Sequence, residues 1–239
     1  MNGWNDYPRL RQLRDESYAA HHASIQNYFH YLESRWGSPA AVPDLVDIEG
    51  ALSQLDEASW RVLLNKAMAY VTSPDRDRGW YQLISTLNEA KGYGVLQQLG
   101  YPSPQFIPES QARTPDLRGD DDRTTTFVEV KTIQPSSEEI GRIVVQRREG
   151  RLVAVSVPQA IPAPFRDKLA AIIAEAAGQL RSVTGQPRTE KVLLLVVTFD
   201  CDAIMGAHYW PQLQIMAREL RPADIQIYLN HKGSWCTVE

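Results

Sequence analysis

The run KVLLLVVTF at residues 191 to 199 sets the strictest limit on what this chain can become. Side chains of a strand alternate between two faces, so six consecutive aliphatic residues, Val192 to Val197, need apolar cover on both. That is the setting of a central strand with a layer on each side, and helices are the usual layers. The flanking sequence supplies them. PFRDKLAAIIAEAAGQLRSV, from about Pro164, places Leu169, Ile172, Ile173, Ala176 and Leu180 on one face of a long amphipathic helix. A further helix is expected near 209 to 220, with short strands in IQIYLN and WCTVE. Upstream, SSEEIGRIVVQRR reads as a helix and RLVAVSV as a strand. WYQLISTLNEAKGYGVLQQLG reads as a helix closed by Gly100. The expected class is therefore α/β, a central mixed sheet flanked by helices.

Residues 5 to 72 have a different pattern, nearly all helical. YPRLRQLRDESYAAHHASIQNYFHYLESRW, DLVDIEGALSQL and DEASWRVLLNKAMAYV follow one another. In the third, Trp60, Leu63, Leu64, Ala67 and Met68 recur at helical spacing behind Asp56 as N-cap. The charged, proline-containing TSPDRDRG at 72 to 79 suits a boundary, giving a helical region over 1–75 and an α/β domain over 76–239. A length of 239 residues fits a domain with such an extension. Hydrophobic residues at 43% and charged ones at 23% exclude disorder as the default. No apolar run approaches the roughly 18 residues of a membrane span, and the first residues lack a secretory apolar segment, so a cytoplasmic location is expected. Cys201 and Cys236 have no metal-type spacing and read as ordinary thiols. A net charge of −4 disfavours a protein that holds nucleic acid by a global basic field, so a polyanion would need a local basic surface or bound cations.

One stretch does not fit a purely structural reading: TPDLRGDDDRTTTFVEVKTI, residues 114 to 133. Its second half is an apolar strand containing a glutamate and a lysine. Alternation sends Glu129 and Lys131 to one face and Val128 and Val130 to the other. The RGDDDR turn lets a strand ending near Asp116 fold back beside the second one, which brings the Asp116 carboxylate towards Glu129. Two carboxylates that close are costly to keep ionised without a cation. Mg²⁺ suits such a pair, because it takes one or two carboxylates and fills its shell with water and phosphate oxygens. Beside it, the Lys131 ammonium can orient an attacking water or offset charge on a phosphate.

Pro115-Asp116, a turn, then Glu129-Val130-Lys131 on an apolar strand resembles the signature of the PD-(D/E)XK nuclease superfamily, the restriction-endonuclease-like fold. The resemblance spans about residues 76 to 230. It includes the preceding helix, where Glu89 matches a glutamate often found there, and the later helix and KVLLLVVTF strand. It implies a Mg²⁺ ion, replaceable by Mn²⁺, held by Asp116, Glu129, the Val130 carbonyl and Glu89. Lys131 would place a water for in-line attack on phosphorus in DNA, with RNA a possible substrate of such a fold. Gln146 and Gln179 are further candidates to assist. Arg142, Arg147, Arg148 and Arg151 follow the motif closely and read either as phosphate contacts or as a charged helix face. The alternative is an inactive nuclease-fold binding or assembly module in a defence, repair or mobile-element system. Its N-terminal helices would then serve a homodimer or a protein partner.

Other constellations point less far. Asp120, Asp121 and Asp122 read as a wet turn. Asp200 ends an apolar strand as in nucleotide hydrolases, but no GxxxxGK[ST] loop accompanies it. His21, His22 and His30 lack partners at ligand spacing. Trp4, Trp36, Trp60, Trp80, Trp210 and Trp235 are scattered, which suits packing better than a base-stacking platform.

Overall fold

A computed structural model describes residues 3–21, 26–37, 39, 42–74, 80–108, 113–134, 159–185, 188–199 and 202–238. The chain divides into two compact units, Met1–Pro108 with Asp116–Asp122, and Glu109–Pro115 with Arg123–Glu239. The first unit contains a pair of antiparallel strands and the second a mixed sheet, an α/β arrangement with helices packed on the strands. The expected helix at SSEEIGRIVVQRR and strand at RLVAVSV lie outside the described residues.

The first unit begins with α1 (Pro8–His21), α2 (Tyr28–Trp36), α3 (Pro43–Leu52) and α4 (Glu57–Val71). Three of these starts are capped by side chains. Asn27 and Asp56 cap α2 and α4 by accepting the Phe29 and Ser59 amides. At α1 the cap is distant in sequence: the Glu49 carboxylate of α3 accepts the Arg9 and Leu10 amides at 3.0 and 2.9 Å. Burial raises the Glu49 pKa, and those amide bonds oppose the rise. Trp60 is fully buried and donates its indole N–H to Gln12 at 2.7 Å. The fifth helix, α5 (Tyr81–Gln98), packs on α3 and α4, and every residue from Thr86 to Leu96 is buried. It ends at Gly100, whose φ of 97° is the left-handed conformation expected there.

Next come β1 (Gln105–Phe106) and β2 (Leu117–Asp120), paired antiparallel with Gln105 opposite Arg118. Here the structure departs from the sequence expectation. The strand is Leu117–Asp120 rather than one ending near Asp116, so Arg118 to Asp120 belong to a strand paired with β1 and not to a turn. Leu117 and Gly119 are buried while Arg118 and Asp120 are exposed, the alternation of a strand with one wet face. At Gly119 the chain passes directly over the Tyr101 ring, where an added Cβ would come within 2.6 Å.

The second unit holds β3 (Thr124–Ile133), α6 (Ala163–Arg181), β4 (Arg188–Val197), α7 (Asp202–Leu220), β5 (Gln226–His231) and β6 (Ser234–Val238). β3, β4 and β5 run parallel and β6 closes the edge antiparallel. In register, Glu129 stands opposite Leu193, Leu193 opposite Ile227, and Ile227 opposite Val238. The aliphatic run is the central strand it was expected to be: β4 lies between two parallel neighbours, and Val192 to Val197 are all buried. α6 lies on β3 and β4, α7 lies on β5 and β6, and the two helices touch. No described helix is long and apolar enough to cross a membrane.

Candidate functional site

β3 forms because Thr124, Thr125, Thr126, Val128, Val130, Thr132 and Ile133 are β-branched, which favours a pleated backbone. Within it Glu129 and Lys131 share a face. The Lys131 ammonium lies 2.8 Å from Glu129 Oε1. Only 3% of the Glu129 side chain is exposed, so its charge needs a partner, and Lys131, one pleat along the same strand, supplies it.

α6 covers this face and runs antiparallel to β3, as three contacts define. Near the helix start, Lys168 donates to the Gln134 carbonyl at 2.9 Å. Midway along the helix, Glu175 Oε1 lies 3.8 Å from Lys131 Nζ. Beyond the helix end, Gly185 presses on Thr125 so closely that a Cβ would sit 2.3 Å from the threonine Cβ. Glu175 also accepts from Arg113 at 3.1 Å. The result is a chain of alternating charge, Glu129, Lys131, Glu175, Arg113, whose side chains are 3%, 24%, 49% and 75% exposed. It leads from the sheet interior to solvent.

Gln179 follows Glu175 by one helical turn on the same side of α6. Its Oε1 is buried and has no hydrogen-bond partner among the described residues. From the pairing of Glu175 with Lys131, four residues at about 1.5 Å each carry the helix back along β3 by the length of two strand residues, level with Glu129. A buried acceptor without a donor is costly and suits a site that takes water or a cation.

The other expected residues lie as follows. Glu89, in the buried middle of α5, has both carboxylate oxygens on the Lys66 ammonium of α4, at 2.8 and 3.0 Å. Asp116, half-buried, directly precedes β2 in the first unit, and its carbonyl accepts the Ile107 amide at 2.8 Å. Val130 is buried in β3. Asp120 is exposed and pairs with Arg118 at 3.2 Å, and Asp121 and Asp122 are exposed at the turn. Arg142, Gln146, Arg147, Arg148 and Arg151, with His22 and Asp200, lie outside the described residues. Of the tryptophans expected to pack, Trp60 is core, Trp4 packs edge-on to Phe29, Trp80 packs on Tyr28 and Tyr31 and Trp210 packs on His231, whereas Trp235 is exposed.

Sequence reading missed Lys66 as the partner of Glu89, and Glu175 and Arg113 as extensions of the Glu129–Lys131 pair. A signal for Glu175 existed: with Gln179 it borders the stripe Leu169, Ile173, Ala176 and Leu180 that α6 buries. Polar residues flanking a buried stripe at i, i+4 spacing are the ones a helix can present to a neighbouring strand. Arg113 carries no comparable signal.

The donor chemistry fits a hard divalent cation. Glu129 offers carboxylate oxygens, the strand offers the Val130 carbonyl, and the orphaned Gln179 amide oxygen adds another hard acceptor. Among the described residues no three His, Cys, Asp or Glu side chains gather as metal ligands. Mg²⁺ does not require that, because it commonly keeps most of its shell for water and substrate oxygens. Comparison of the chain with protein-family models, with curated proteins and with solved structures gives no match.

Proposed function

We propose that this chain is a Mg²⁺-dependent nuclease that hydrolyses phosphodiester bonds in DNA and acts in the cytoplasm. The observation that carries the reading is the Glu129 carboxylate, buried on β3 with the Lys131 ammonium 2.8 Å away. An ionised pair inside a strand costs desolvation that two apolar residues would avoid, and chemistry is a reason to keep it. In this reading Glu129 and the Val130 carbonyl hold the cation. Asp116 and Glu89 join them on the resemblance to the PD-(D/E)XK signature alone. When bound, the ion polarises the phosphate and acidifies its water. Lys131 donates hydrogen bonds from Nζ to the attacking water and offsets charge gathering on the non-bridging oxygens. Gln179 Oε1 accepts from a water at the level of Glu129.

Plasmid nicking with Mg²⁺ or Mn²⁺ tests this, with an RNA substrate as a second arm. Lys131→Ala and Asp116→Ala should each lower the rate by about 100-fold or more, in the range that loss of one positioned catalytic group produces. Equal nicking by wild type and both variants would end the assignment.

A second reading, a non-catalytic nuclease-fold module that binds or assembles through its N-terminal helices, is favoured by one observation. Both oxygens of Glu89 are already taken by Lys66. Calorimetric titration with Mn²⁺ separates the two, since the module has no need to bind the ion.

A further inference from the structure

The chain of alternating charge does not stop at the pair that the proposed chemistry uses. Lys131 Nζ sits within ion-pair range of two carboxylates at once, Glu129 at 2.8 Å and Glu175 at 3.8 Å. They differ sharply in setting, since Glu129 is buried and Glu175 is half exposed at the rim. Glu175 is placed by its helix, which Lys168 ties to the end of β3, and it shares its Oε1 between Lys131 and, from the solvent side, Arg113.

A divalent cation arriving at Glu129 meets an ammonium on the same carboxylate, and the two positive charges repel. The ammonium must then give up part of its contact with Glu129. We propose that Glu175 is a positioning residue that receives the Lys131 ammonium as a divalent cation takes the Glu129 carboxylate, and that Arg113 competes with the ammonium for it. This rests on the reading of Glu129 as a cation ligand. The displacement is small, because Glu175 is already within reach, and Lys131 stays beside the site where it can serve the reaction. No proton or covalent bond is transferred.

The arrangement gives the two rim residues opposite signs. Loss of the Glu175 charge leaves the displaced ammonium without an acceptor and weakens cation binding. Loss of Arg113 leaves Glu175 wholly to Lys131 and does not weaken it. A residue with only a structural role would not split the two variants in this way.

The experiment is a Mn²⁺ titration of the full chain, following the free-ion electron paramagnetic resonance signal, with calorimetry in parallel and a thermal melt without metal to confirm folding. Glu175→Gln should raise the Mn²⁺ Kd about threefold and Glu175→Lys about tenfold, the scale of a partly exposed ion pair and of its reversal. Arg113→Ala should leave Kd unchanged or lower it by about twofold. If Glu175→Gln binds Mn²⁺ as the wild type does, or Arg113→Ala weakens binding as Glu175→Gln does, the inference is wrong while Glu129 remains a cation ligand. If the wild-type chain binds no Mn²⁺ at all, the cation reading itself fails and takes this inference with it.

Discussion

Trp60 and Asp56 show how much of the first unit rests on single side chains. Trp60 is fully buried and its indole N–H is satisfied, so Trp60→Ala opens a large cavity and orphans Gln12. A loss of about 3–5 kcal/mol is expected in urea unfolding at constant slope. Asp56 both caps α4 and accepts a hydrogen bond from the Tyr93 hydroxyl at 3.0 Å. The Ser59 amide is the main cause of its lowered pKa. Its native pKa lies below the unfolded value of 3.8, so its contribution is complete above that value and disappears as pH falls through the native one. Acid titration of stability should therefore be flatter below pH 4 in Asp56→Ala than in the wild type. Asp56 was legible because a cap is a local rule, written within four residues of sequence. Glu129 and Lys131 were legible for a similar reason, since strand alternation alone places them together. Glu175 was legible only as a polar residue bordering the apolar stripe, because its approach to Lys131 depends on how α6 lies along β3, which the stripe leaves undetermined to within a turn.

Among the elements, α1 and α6 show how a distant residue sets a local start or fit. Glu49 satisfies two amides at the start of α1 from another helix. Its raised pKa gives the opposite pH sign to Asp56: the carboxylate is harder to ionise in the folded chain, so stability falls as pH rises from the unfolded value of 4.5 through the native one. Glu49→Ala should cost about 1–3 kcal/mol by leaving those amides unsatisfied, whereas Glu49→Gln keeps one acceptor oxygen and should cost less. Chemical denaturation at pH 7 compares them directly. At the far end of α6, Gly185 has no room for a methyl group against Thr125. Gly185→Ala should cost about 1–3 kcal/mol and move α6 relative to β3, lowering any activity that depends on Lys131. β4 could be read from its aliphatic run because burial on both faces leaves few alternatives. β2 could not: an exposed arginine and aspartate flanking a glycine look like a turn, and only pairing with β1 and the Tyr101 contact make them a strand.

For the whole molecule, the α/β class followed from one central strand and its amphipathic partner. The division into units did not follow from composition. The helical pattern changes character near residue 75, whereas the units part at Pro108, and the stretch Asp116–Asp122 groups with the first. The reason is α5: its sequence belongs to the α/β pattern, but its buried surface is spent against α3 and α4. On the proposed reading of Glu129 as a cation ligand, a bound cation would stabilise the chain by mass action. Mn²⁺ at about 100 times its Kd should add about 2.7 kcal/mol to unfolding, seen as a rise in Tm, and Glu129→Gln should abolish the rise.

From Thr86 to Leu96, α5 has no outward side. A spectroscopic label, crosslinker or affinity handle attached anywhere along that stretch would have to displace the interior to fit. Tolerant attachment points lie instead where side chains already reach water, such as Val62 on α4 or Ile215 on α7. The same restriction applies to substitution: that segment accommodates only exchange among residues of nearly equal bulk.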